Sequence, residues 1–187
     1  MSKHTEHTTN RYNSELRDIL LEMRNQDRHM RATIGQRYQH PEDMTPADHR
    51  WWLQVDAEHA EQLRALVEQH GWPGRSLVGT DGAEAAWLLA LHADQYPTFQ
   101  RRCLQLLEQA VAAGEAPSEQ LAHLADRVQV NADQPQLYGT QMHLIDNHIM
   151  PWPIINPEEV DQRRALLGLN TLEEYLADVR RSYGDIS

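Results

Sequence analysis

Between Asp81 and Ala93 the chain is apolar on nearly every side of a helix, because Ala85, Ala86, Trp87, Leu88, Leu89, Ala90 and Leu91 leave no polar stripe to face water. Such a helix is stable only when other elements surround it, so the segment predicts a central helix inside a helical domain. The neighbouring segments can supply the surrounding layer. Ser14 to Ile34 places Leu16, Leu20, Met23, Met30 and Ile34 on one face. After the break at Pro41 to Pro46, a second pattern runs to His70 with Ala60, Leu63, Leu66 and Val67 inward, and Gly71 closes it ahead of the stiff turn Trp72-Pro73-Gly74. Pro97 opens a further helix that ends before Gly114, and Ser118 opens another with Leu121, Leu124, Ala125 and Val128 on its buried side.

Past Asn131 the helical period is lost. Leu137–Ile145 and Ile149–Ile155 predict a small hairpin turning at Asp146-Asn147. Asn156-Pro157 then reads as the capped start of a helix closed by Gly168, and Thr171 with Glu174 forms a capping box for a last helix carrying Leu172, Tyr175, Leu176 and Val179. The fold expected is therefore mainly α: a single-domain bundle of six or seven helices over residues 14–187, with one hairpin near 137–155. Residues 1–13, polar and without periodicity although they carry His4 and His7, are expected as a flexible tail.

Charge and composition exclude several functions. A formal net charge of −11 opposes the phosphate neutralisation that nucleic-acid binding needs. Lys3 is the only lysine, so an internal Schiff base has no donor. Cys103 is the sole cysteine and falls among Phe99–Leu107 as a small core residue. No apolar run approaches the ~20 residues that span a bilayer, and no charged start leads into an apolar stretch, so a cytoplasmic protein is expected, with no membrane partner.

Helix geometry directs three polar groups toward the interior. Asp27 lies four residues after Met23 and three before Met30, where an apolar side chain would ordinarily stand, with Arg31 one turn on as its partner. His70 stands at a helix end beside the Trp72 turn, and His92 with Asp94 emerges at the end of the apolar helix. A third region, Leu137 to His143, offers the Tyr138 phenol, the Thr140 hydroxyl, the Gln141 amide and the His143 imidazole around Gly139. If it is a strand, Tyr138 and Thr140 face one side, with Gln141 and His143 on the other. All of these also suit structural roles, Asp27 with Arg31 as a lock between helices and His70 as a helix cap.

Taken in order, His70-Gly71-Trp72-Pro73, Val78-Gly79, Ala86-Trp87-Leu88-Leu89, His92-Ala93-Asp94, Phe99-Gln100, Asp126-Arg127, Tyr138-Gly139-Thr140-Gln141 and Val160-Asp161 with Arg163-Arg164-Ala165 resemble an uncharacterised bacterial domain family over roughly residues 16–175. The resemblance implies that His70, His92, Asp94, Tyr138 and Gln141 match signature positions, and it brings no activity with it. The family's first helix commonly carries Asp-Gln where this chain has Asp27-Arg28.

These residues suggest a small enzyme with hydrolase-like acid–base chemistry on a small molecule or peptide. In it His92, Asp94, His70 and Tyr138 would be catalytic, and Gln141, Trp72, Arg127 and Asp27 would hold substrate. His70, His92 and Asp94 as ligands of one divalent metal form an alternative, and a non-catalytic module that meets another protein forms a third. No nucleotide-cofactor motif, Gly-x-Ser-x-Gly elbow or His-Glu-x-x-His helix is present.

Overall fold

The computed structural model describes residues 12–38, 43–145 and 148–183. Among the described residues seven α-helices run in the order α1 (Ser14–Arg37), α2 (Pro46–His70), α3 (Arg75–Leu91), α4 (Pro97–Ala112), α5 (Ser118–Val130), α6 (Val160–Leu166) and α7 (Leu172–Tyr183). An antiparallel hairpin of β1 (Met142–Ile145) and β2 (His148–Pro151) lies between α5 and α6, pairing Met142 with Pro151 and Ile145 with His148. The expected turn residues Asp146 and Asn147 lie outside the described residues.

α3 is the central helix and contacts α1, α2, α4 and α5. Its small buried residues, Gly82, Ala83, Ala85, Ala86 and Ala90, let neighbours approach closely, and the core around them is filled by Leu20, Leu63, Val78, Leu89, Leu107 and Leu124. α3 begins earlier than its apolar run. It starts at Arg75, and a break at Gly79, whose φ of 73° favours glycine, joins a first turn to the apolar helix. Cys103 is buried as expected, and burial pushes its thiol up to about 12.

Three boundaries differ from expectation for local reasons. Asn13 belongs to the domain rather than the tail, since its side chain accepts from the Leu16 N–H at 2.9 Å and its own N–H donates to the Leu77 carbonyl at 2.7 Å. Residues 1–11 lie outside the described residues. The helix expected from Asn156 starts instead as a 3₁₀ turn, Pro157–Glu159, because Asn156 is left-handed (φ 41°) and its side chain does not cap. The third is the stretch from Leu137 to Thr140, which is not a strand. It wraps around the buried carboxylate of Asp126, which accepts from the N–H groups of Leu137 (2.7 Å), Tyr138 (2.9 Å) and Thr140 (2.8 Å) and from the Thr140 hydroxyl (2.9 Å). The strand begins only after Gln141, so the expected alternation of faces does not apply.

Candidate functional site

Three helices bring one polar cluster together. On α1, Asp27 takes the core position its spacing predicts and is 1% exposed. Arg31, one turn later, donates from Nε to Asp27 Oδ1 at 2.9 Å and from Nη2 to Asp56 Oδ1 on α2 at 2.7 Å. Trp52, one turn before Asp56, donates its indole N–H to Asp56 Oδ2 at 2.7 Å, and the Arg31 guanidinium lies 4.8 Å over the Trp52 ring. His92 arrives as the C-cap residue of α3, with its N–H still bonded to the Leu88 carbonyl, so the rigid central helix fixes where the ring stands. Its Nδ1 lies 2.9 Å from Asp27 Oδ1.

Asp27 Oδ1 thus stands within hydrogen-bond distance of Arg31 Nε and His92 Nδ1, and the Arg31 Nε–H also points at His92 Nδ1, 3.1 Å away. If Nδ1 instead carried a lone pair it would accept from the Arg31 Nε–H at 3.1 Å, but Nδ1 and Asp27 Oδ1 would then face each other as two acceptors at 2.9 Å. The Nδ1–H tautomer avoids that repulsion, and in it the lone pair stands on Nε2. That atom has no partner among the described residues and is not sealed in the interior. The imidazole as a whole is 19% exposed.

Asp27 and Asp56 flank one guanidinium, yet their acidities diverge. Burial opposes ionisation of Asp27, but the hydrogen bond from His92 and the charges of His92 and Arg31 outweigh it and hold the carboxyl below its ordinary value. At Asp56 burial prevails over Arg31 and Trp52, with the Asp27 charge adding to it, and the carboxyl is raised. His59, also on the buried face of α2, is pushed down by burial toward the neutral imidazole. Asp27 Oδ2 and His59 Nδ1 are buried without a hydrogen-bond partner among the described residues, and His59 Nε2 is only 3.4 Å from Gln26 Oε1.

Asp94 does not orient His92. The carboxylate turns the other way and is saturated by Arg127 through Nε (3.0 Å) and Nη2, by Asn131 (2.7 Å) and by Gln100 (3.1 Å), which ties the turn after α3 to α5. Residues two apart on a helix end point to different faces, and Asp27 rather than Asp94 lies on the face of His92. Arg127 is likewise committed, to Asp94 and at 3.3 Å to Gln141. Gln141 donates to the His123 carbonyl and the Thr140 hydroxyl, and Tyr138 belongs to the loop wrapped on Asp126. No hydrogen bond or ion pair among the described residues joins Tyr138 or Gln141 to His92.

His70 also stands apart. It is exposed at the end of α2, fourteen residues beyond Asp56, which places it roughly 21 Å along the helix axis from the cluster. Trp72 packs against the core with its indole N–H buried and without a hydrogen-bond partner among the described residues. His70, His92 and Asp94 therefore do not converge, and no group of three or more His, Cys, Asp or Glu among the described residues is placed to hold a metal. In the cluster itself, the guanidinium of Arg31 occupies the place between the carboxylates that a cation would take.

Asp56 and His59 are not apparent as candidates from residue type alone, although the signal at Asp56 is the one that exposes Asp27. Asp56 lies four residues before Ala60 and seven before Leu63, squarely on the apolar stripe of α2.

Residues 14–186 match a family described as a family of unknown function, DUF6624. The chain belongs to DUF6624. No curated protein and no solved structure matches it. A DUF6624 domain is thus, in this chain, a helical bundle whose three longest helices meet at an Asp–His–Arg–Asp cluster.

Proposed function

We propose that this DUF6624 chain is a small hydrolase-like enzyme of the cytoplasm, acting on a small molecule or peptide, with His92 as its general base. The single observation behind this is the imidazole held by a buried carboxylate, His92 Nδ1 to Asp27 Oδ1 at 2.9 Å, with Nε2 free of any partner among the described residues. A buried carboxylate on Nδ1 fixes the tautomer and stabilises the imidazolium that forms when Nε2 takes a proton. Water attacking a carbonyl or phosphoryl group would give its proton to Nε2, and the same proton would pass to the departing oxygen or nitrogen as the bond to it breaks. Asp27, held below its ordinary value, stays ionised through this cycle. Arg31 commits Nε and Nη2 to the two aspartates and has Nη1 free among the described residues, and its positive charge beside the imidazole would stabilise negative charge that develops there.

The purified chain is to be tested against chromogenic carboxylic esters, phosphoesters and anilides. His92→Gln is expected to lower kcat/KM by about 100- to 10,000-fold at unchanged helical circular dichroism, and Asp27→Asn to lower kcat by loss of the oriented tautomer. Turnover that survives in folded His92→Gln, or no turnover of any of the three classes, defeats the proposal.

A further inference from the structure

A second site lies away from the cluster, in a groove between the C-terminal half of α2 and the start of α4. Arg64, Val67, Gly71, Phe99, Arg102 and Leu106 line a cavity of about 710 Å³. Its floor is apolar, since Val67 and Phe99 are buried and Leu106 is half-buried. The space above Gly71 is open, with nothing within 4 Å of where a Cβ would stand.

Two arginines against one glutamate, Glu68, give the groove a net positive lining in a chain of net charge −11. Arg64 is half-buried, and its guanidinium lies 5.4 Å over the Tyr96 ring and 5.2 Å over the Phe99 ring. Stacking fixes the plane of a guanidinium while leaving its N–H edge free. No carboxylate among the described residues pairs with Arg64 or Arg102; Glu68, one turn after Arg64 and in the same groove, forms no ion pair with either. Among the described residues Arg102 hydrogen-bonds only the Gln105 side chain, at 3.5 Å. Thr98, which also lines the groove, sits in a first helical turn that no side chain caps, so its end of α4 adds positive potential.

We propose that this groove binds a small organic anion with an apolar body, such as a medium-chain carboxylate: Arg64 and Arg102 take the anionic head, and Val67, Phe99 and Leu106 cover the chain. An arginine whose orientation is already set by two rings loses little freedom on binding, and the fork of N–H groups matches a carboxylate. The volume is that of an ordinary small-molecule site.

The test is a titration of the ¹⁵N-labelled full chain with octanoate, followed by amide shifts, with 1-octanol as the uncharged control. Octanoate is expected to move the amides of Gly71, Thr98 and Phe99 saturably, and octanol to bind about tenfold more weakly or less. Arg64→Gln and Arg102→Gln are each expected to weaken octanoate about tenfold or more, the loss for one charge-assisted hydrogen bond, and to leave octanol binding as it is. Arg102 is exposed and forms no ion pair among the described residues, so its variant keeps the test decisive if Arg64→Gln does not fold. Absence of saturable shifts at these amides, octanol binding as tightly as octanoate, or equal octanoate affinity in the wild type and folded arginine variants overturns the proposal. His92→Gln is expected to bind octanoate like the wild type.

Discussion

Asp27 carries opposing demands in one side chain. Its Oδ1 collects two donors, while Oδ2 is buried with none among the described residues. A carboxylate in this position is retained at a cost in stability, because an unsatisfied buried acceptor is worth roughly 1–3 kcal/mol against the fold. Removing it is costlier still. Asp27→Ala leaves His92 without its orienting partner and Arg31 with Asp56 alone, so a loss of about 3 kcal/mol is expected in denaturant unfolding. That is the low end for breaking a buried pair, because Arg31 keeps one partner and is 24% exposed. A change below about 1 kcal/mol, the range of exposed pairs, would show that the cluster does not hold α1 to its neighbours.

Among the elements, the loop from Leu137 to Thr140 owes its shape to one carboxylate on α5 and two arginines on α6. Asp126 gathers its N–H groups, while Arg164 donates to the Tyr138 carbonyl (2.7 Å) and Arg163 to the Leu137 carbonyl (2.8 Å). Gly139 completes it: φ is 74°, and a Cβ would stand 2.7 Å from Leu172 Cδ1 and 2.9 Å from Ile154 Cδ1, so the loop, the hairpin flank and α7 close on a position only glycine fills. The residues that look chemically rich in the sequence are here the staple of the C-terminal third. Asp126→Asn turns an acceptor into a donor facing the Thr140 N–H and is expected to cost about 2–3 kcal/mol. Urea unfolding followed by circular dichroism measures this. A variant as stable as the wild type would show that the loop does not depend on the charge.

For the whole molecule, the buried titrating groups set how stability follows pH. Burial lowers His59 and His123 below the ordinary histidine value of 6.5. The unfolded chain then binds more protons than the fold, and stability falls as pH drops below about 6.5. Asp56, raised by burial, works in the opposite direction, since protonation relieves its cost. Asp27 and Asp94 are lowered against the opposing effect of burial, Asp27 by His92 and Arg31 and Asp94 chiefly by Arg127. Their contribution is full above the ordinary carboxylate value of 3.8 and is lost as pH falls through their lower folded values. Two acid limbs are therefore expected in urea midpoints measured against pH. His59→Gln should shrink the upper limb and Asp27→Asn the lower, and a single limb unchanged by either substitution would contradict this assignment. No helix among the described residues is long and apolar enough to cross a membrane.

What the sequence determined by itself is whatever periodicity and capping encode. The apolar run of α3 dictates a central helix, the stripes of α1, α2, α4 and α5 dictate its neighbours, and the Thr171–Glu174 capping box, with its Thr171 N–H to Glu174 bond at 2.9 Å, dictates the start of α7. The burial of Asp27 beside Arg31 was legible for the same reason, since a helix of 3.6 residues per turn assigns each position to a face. Tertiary structure alone decided which polar groups share a site. His92 and Asp94 are neighbours in the chain but serve different helices, Asp27 on α1 and Arg127 on α5, while His70 lies at the C-terminal end of α2, fourteen residues beyond Asp56. Partners 61 and 65 positions apart, as Arg31 and Asp27 are from His92, are brought together by the packing of α1 on α3, and no local pattern of residues carries that information.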